Sequence, residues 1–154
     1  MTLAALSRIE RSIDIDAPPQ EVWRALTDTA ELLAWFQVTI EGTIAPGAEV
    51  WMTSVLPSHA GQRFRVVIGE MTAPHRLVWK WHPGEVDPDV DYSREPQTTV
   101  TFTLEPVGAG TRLSVTETGF DEISLARRAK VYEDNSKGWA EALVWLQKHV
   151  EANG

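Results

Sequence analysis

The chain lacks cysteine altogether. Disulfide bonds, thiolate nucleophiles and cysteine-based metal sites are therefore excluded, and nothing indicates an oxidising compartment. Long hydrophobic runs are also missing, since no apolar stretch approaches the roughly 18 residues that span a bilayer. The N-terminal segment lacks the basic start and the long apolar stretch of a signal peptide. We therefore expect a cytoplasmic protein without a membrane segment.

Positive charge is scarce, because 14 lysine and arginine residues face 22 aspartate and glutamate residues, which gives a formal net charge of -8. That balance argues against a nucleic acid or an anionic membrane surface as a partner. The four histidines show no metal-binding spacing, and neither a glycine-rich phosphate loop nor a nucleophile elbow is present. The sequence thus predicts no metal and no cofactor, and it favours a non-enzymatic function.

What the sequence does contain is regular apolar and aromatic patterning. With 154 residues, 43% of them hydrophobic, the chain is long enough for one domain with a substantial core. Alternating apolar residues predict strands, and apolar residues three or four apart predict helices. The predicted order is a strand at 8–16, two short helices at 17–28 and 30–36 with Thr29 capping the second, about six strands in hairpins up to Phe120, and one long final helix.

The final helix carries a narrow apolar stripe, which consists of Leu125, Tyr132, Trp139, Leu143, Leu146 and Val150. A twisted antiparallel sheet can bury such a stripe by curving around the helix, which predicts an α+β fold. If the sheet bends more than the helix can fill, a cavity remains between them. Trp145 lies about 100° around the helix from Leu146 and is expected to seal an edge of this arrangement.

The order of these segments resembles the START-like (SRPBCC) helix-grip superfamily. More narrowly, it resembles its small single-domain bacterial branch related to the activator of the heat-shock-protein-90 ATPase. The likeness covers about residues 9–150 of a single domain at 1–154, and it rests on the segments APPQEVWRALTD, AELLAWF, RLVWKWHP, TTVTFTLEPVGAGTRLSVTETGF and GWAEALVWLQKHV. It implies a curved antiparallel sheet wrapped around a long C-terminal helix, with two short helices after the first strand. It also implies an internal cavity, in which superfamily members bind lipids, hormones or polyketides.

Given that fold, we expect a mainly aromatic set of side chains to contact a ligand between helix and sheet: Phe36, Trp51, Phe64, Val66, Trp79, Trp81, Phe102, Glu117, Tyr132, Trp139 and Leu143. The seven tryptophans of the chain leave two interpretations open. Either they fill the wide space between a curved sheet and its helix, or several of them form the wall of a pocket for a flat apolar molecule.

Glu117 is the candidate for polar chemistry in this cavity. By alternation from Leu113 it points inward, where a carboxylate needs hydrogen-bond or charge partners. There it would contact the ligand or act as a general base. Alternatively, it reaches solvent, because Gly119 soon ends the strand. Alternation indicates that Arg63 and Arg65 point outward and are not its partners.

The leading hypothesis is a protein that binds a small hydrophobic molecule, aromatic, polyketide-like or lipid-like, in this cavity. The alternatives are a cyclase- or hydrolase-type enzyme that uses Glu117 or a cavity histidine, and a co-chaperone-like interaction module with a chaperone as its partner in the stress response. A homodimer is compatible with the sequence. The acidic segment 84–95 is expected to form a solvated loop over the cavity.

Overall fold

A computed structural model describes residues 7–83 and 94–153 of the chain. Residues 84–93, most of the acidic segment expected to cover the cavity, lie outside these ranges. The described residues form one sheet of seven strands: β1 Arg8–Ile15, β2 Val38–Glu41, β3 Glu49–Ser54, β4 Arg63–Thr72, β5 Arg76–Trp81, β6 Thr98–Val107 and β7 Gly110–Thr118.

All neighbouring strands of the sheet are antiparallel, in the order β1-β7-β6-β5-β4-β3-β2. Strands β2 to β7 therefore follow one another as consecutive hairpins, and β1 pairs with β7 at one edge. A sheet of this kind twists and can curve around a helix. The predicted order of one strand, two helices, six strands and a final helix is confirmed, and so is the α+β fold class.

Two short helices lead from β1 to β2, namely α1 Pro19–Thr27 and α2 Thr29–Trp35. The predicted cap at Thr29 is wrong, because Thr29 is already the first residue of α2. Asp28 takes this position instead, and its Oδ1 accepts a hydrogen bond from the backbone N–H of Glu31 at 3.1 Å. An aspartate cap satisfies a donor that the first turn of the helix leaves without a partner.

The long helix α3, Leu125–Asn153, packs across the concave side of the sheet. Its buried residues are Val131, Trp139, Ala142, Leu143, Leu146 and Val150. Leu125 is an exception to the predicted stripe, since its side chain is 67% exposed. It is the first residue of the helix, and burial starts only at Val131.

Strand β7 positions Glu117 on the face of the sheet that α3 covers. Glu117 stands opposite Ile9 on β1 and Val100 on β6, and both of these residues are buried. The strand ends before Gly119, whose φ of 104° lies in the left-handed region that glycine adopts without strain. Glu117 is therefore the last inward-facing residue of its strand.

The outer face of the same strands carries an exposed ion pair. Arg112 donates hydrogen bonds of 2.9 and 3.3 Å to the two carboxylate oxygens of Asp14. These hydrogen bonds, together with the charge of the guanidinium, hold the pKa of Asp14 below its ordinary value. Solvent screens the pair, so it contributes little to stability and lies apart from the candidate site.

Candidate ligand-binding site

Glu117 is fully buried beneath α3. Its carboxylate accepts hydrogen bonds from the indole nitrogens of Trp139 at 2.8 Å and Trp81 at 2.9 Å. The hydroxyl of Thr98 donates at 2.5 Å, and the amide of Asn135 lies 3.1 Å from each carboxylate oxygen. The alternative that Glu117 reaches solvent is wrong, because α3 extends over the end of β7.

Every partner of Glu117 donates a hydrogen bond, and within the described residues none of them is a cation. Arg63 and Arg65 point outward, as alternation indicated, and pair with Glu41 and Glu49. An ionised carboxylate only accepts hydrogen bonds, so this set of donors matches it. Since a buried carboxylate without such donors would be very costly, Glu117 and its partners fix one another in place.

Two of these partners belong to an aromatic stack. The ring centroids of Trp81 and Trp139 are 5.7 Å apart, with the ring planes at 25°. Phe36 lies nearly parallel to Trp139, with a centroid distance of 6.4 Å and an angle of 4°. Because Glu117 binds both indole N–H groups, the two tryptophan rings are held in defined orientations.

This stack borders an open groove of about 220 Å³ between α3 and the segments that follow α2 and β3. Its lining is mainly apolar, with polar groups contributed by the helix. The lining residues are Phe36, Leu56, Trp81, Asp134, Asn135, Gly138, Trp139, Glu141, Ala142 and Trp145. A concave, mostly apolar surface with a few polar groups is the usual form of a small-molecule site.

Three of the predicted ligand contacts, Phe36, Trp81 and Trp139, line this groove. Glu117 lies behind it and contacts Trp81, Trp139 and Asn135 of its lining. The structure thus brings two of the aromatic candidates, Trp81 and Trp139, and the one carboxylate candidate into a single cluster.

The other predicted contacts do not line the groove. Four of them are core residues, buried to at least 97%: Val66, Trp79, Phe102 and Leu143. Phe64 packs its ring edge against Trp81 at a centroid distance of 5.8 Å. Tyr132 contacts Phe120 and donates its hydroxyl proton to the carbonyl of Arg8 at 2.8 Å.

Trp51 lies on the opposite side of the sheet. Its neighbours Val50 and Met52 are fully buried, so alternation turns Trp51 outward, where the guanidinium of Arg63 stands 4.1 Å from the centre of its ring. The apolar pattern of β3 was compatible with Trp51 on either face of the sheet. The tryptophans thus divide between two places: Trp79 lies in the core, and Trp81 and Trp139 line the groove.

Sequence reasoning missed seven of the ten lining residues, six of them on α3. The missed residues are Leu56, Asp134, Asn135, Gly138, Glu141, Ala142 and Trp145. A signal for them exists, because 135, 138, 142 and 145 recur at the spacing of one helix face beside the apolar stripe. The small residues Gly138 and Ala142 leave space on that face, and Trp145 lines the resulting groove.

Two negative findings apply to residues 7–83 and 94–153. No cluster of three or more His, Asp or Glu side chains in these ranges could hold a metal ion. No helix there is both long enough and apolar enough to cross a bilayer.

The curved sheet around a long helix, with a groove at their junction, defines a START-like helix-grip protein. The family model described as "Activator of Hsp90 ATPase homolog 1-like protein" matches residues 16–151, and the chain belongs to this family. Comparison with curated proteins gave no match.

Solved structures with the same fold come from several bacteria. Protein MLL2253 of Mesorhizobium loti is 22% identical, with a TM-score of 0.77 over 96% of this chain and 98% of that one. CalU16 of Micromonospora echinospora is 24% identical, with a TM-score of 0.66 over 93% and 75%. The Aha1 dimer of Colwellia psychrerythraea is 19% identical, with a TM-score of 0.71 over 94% and 96%. At these identities the likeness shows the fold alone.

Proposed function

We propose that the groove binds a small planar aromatic molecule. The observation that carries this proposal is the Phe36, Trp139 and Trp81 stack at an open groove, with both indoles anchored on a buried carboxylate. Aromatic faces bind flat apolar ligands by offset or edge-on ring contacts. Rings that are already fixed lose little conformational entropy when a ligand binds.

The size of the groove limits the ligand. About 220 Å³ is smaller than the roughly 300–1,000 Å³ of sites for drug-sized molecules. An apolar cavity of about 150 Å³ is known to accept a single benzene ring. The groove therefore suits a ligand of one or two rings, or one end of a larger molecule such as a polyketide.

Glu117 is better placed to position the groove than to act as a general base. A general base must come within hydrogen-bond distance of its substrate, directly or through one water. The oxygens of Glu117 are engaged by Trp81, Trp139, Asn135 and Thr98, and Glu117 does not line the groove. This arrangement supports binding over catalysis.

Filling the groove tests the proposal. Gly138 lines it, and a Cβ added there would meet no atom within 4 Å, so Gly138→Leu adds a side chain without a clash at its first carbon. We expect the variant to bind the neutral aromatic probe naphthylmethanol at least about tenfold more weakly than the parent protein, measured by isothermal titration calorimetry.

The matched control is Ala140→Leu, which places the same side chain at an exposed position of α3 outside the groove lining. We expect it to bind the probe as the parent does, and neither variant to unfold at a lower temperature than the parent. Equal binding by all three proteins would contradict the proposal. So would a parent protein that binds neither naphthylmethanol nor its charged analogues at ligand concentrations up to their solubility limits.

The family description names an activator of the Hsp90 ATPase, and one similar structure is a dimer. For this chain a chaperone partner and a homodimer stay proposals. Sedimentation of the purified protein with and without the bacterial chaperone measures both: a complex would support the interaction-module alternative, and a single species of twice the chain mass would support the dimer.

A further inference from the structure

The charged residues at the edge of the groove, called its lip here, are both acidic: Asp134 and Glu141. Asp134 and Glu141 both line it, two turns apart on α3, and no lysine, arginine or histidine is among the lining residues. The carboxylate of Glu141 forms no ion pair with any described residue. A ligand that enters the groove therefore meets two carboxylates at its edge, of which Glu141 has no ion-pair partner among the described residues and Asp134 pairs only with the exposed Lys130.

The nearest basic residues of the helix do not cancel this charge. Lys130 approaches Asp134 at 3.0 Å, but both side chains are largely exposed, so water and salt screen the pair. Lys137 lies on α3 between the two acidic residues, is exposed, and forms no ion pair within the described part of the chain. Its side chain does not line the groove.

The aromatic interior of the groove also favours a positively charged ligand. The faces of aromatic rings attract cations, most strongly on tryptophan, and three tryptophans line the groove: Trp81, Trp139 and Trp145. The carboxylate of Glu117 lies directly behind two of these rings and has only uncharged partners. An anionic ligand would face this carboxylate and the carboxylates of Asp134 and Glu141, and none of the described residues that line the groove is a cation.

We propose that the groove selects aromatic molecules that carry a positive charge, such as arylalkyl ammonium compounds, over neutral and anionic aromatics of the same shape. This inference rests on the proposed binding function. The ring of the ligand packs against Trp139 and Trp81, and its ammonium group lies at the lip near Glu141 and Asp134.

A series of three probes that differ in charge tests the selectivity. Naphthylmethylamine is cationic at neutral pH, naphthylmethanol is neutral and naphthoate is anionic, while the ring is the same. By isothermal titration calorimetry, we expect the amine to bind about tenfold more tightly than the alcohol and the carboxylate to bind most weakly. Raising the ionic strength should weaken the binding of the amine and leave the binding of the alcohol unchanged, because salt screens the charge at the lip.

Paired variants locate the effect. Glu141→Gln should lower the affinity for the amine by about two- to fivefold and leave the affinity for the alcohol unchanged. Glu133→Gln removes the same charge from an exposed position of α3 outside the groove, and we expect it to change neither. Equal losses in the two variants would mean that only the net charge of the protein matters, and the inference would be wrong.

The outcomes separate this inference from the function on which it rests. If the alcohol binds and Gly138→Leu abolishes its binding, but the amine has no advantage, the groove is an aromatic site without charge selection and the inference fails alone. If none of the three probes binds, the proposed function fails and the inference falls with it. Preferred binding of naphthoate would overturn the inference directly.

Discussion

At the scale of single residues, the carboxylate of Glu117 connects three elements of the fold. It accepts hydrogen bonds from Trp81 on β5, Thr98 on β6 and Asn135 on α3. Because the packing of the helix on the sheet brings these donors to one carboxylate, their loss should be measurable as a loss of stability.

Replacing Glu117 by Gln should lower the free energy of unfolding by about 1–3 kcal/mol. The amide of glutamine brings donors into a position surrounded by donors, so at least one buried N–H group loses its acceptor. Urea denaturation followed by circular dichroism measures the change. Glu133→Gln, at an exposed position of α3, is the control and should stay within about 0.5 kcal/mol of the parent. A Glu117→Gln protein as stable as the parent would show that these hydrogen bonds do not hold the helix on the sheet.

The inward direction of Glu117 could be predicted from the sequence, because residues of a strand point to opposite faces in turn. Its partners could not be predicted in the same way. Trp81, Thr98 and Asn135 lie far apart in the chain, and only the packing of the helix on the sheet brings them to one carboxylate.

At the scale of elements, α3 was predicted well along its apolar stripe and poorly beside it. Trp139, Leu143, Leu146 and Val150 are buried as their spacing indicated. The groove lies on the neighbouring face of the helix, where Gly138 leaves a gap. Apolar periodicity identifies the residues that fill the core. A groove is marked in the sequence only by small residues, which are a weaker signal.

Gly138 lowers the stability of α3 and at the same time leaves space for the groove. Glycine in a helix interior costs about 0.5–1 kcal/mol relative to alanine, so Gly138→Ala should stabilise the protein by about that amount. An added Cβ meets no atom within 4 Å, so no clash offsets this gain. The reverse change Ala140→Gly, at an exposed site of the same helix, should destabilise it by a similar amount in urea denaturation. A loss of stability in Gly138→Ala would show that the position is packed.

At the scale of the whole molecule, the order of hairpins predicted the fold, because consecutive antiparallel strands and one long amphipathic helix have few ways to pack. The location of the groove opening did not follow from that order. It depends on Phe36 and Leu56, which reach α3 from the turns after α2 and β3, and local patterning does not report such distant contacts. The outward direction of Trp51 could not be predicted either, because β3 carries apolar residues on both faces.

The most direct test of the account follows the indole N–H signals of the seven tryptophans by two-dimensional ¹H–¹⁵N NMR while naphthylmethylamine is added. An aromatic ligand shifts the signals of rings that it contacts. We expect the signals of Trp81, Trp139 and Trp145 to move with a common saturation curve, while those of Trp23 and Trp51 stay in place. Unchanged signals from the three groove tryptophans, or shifts confined to Trp51, would contradict the claim that this groove is the binding site.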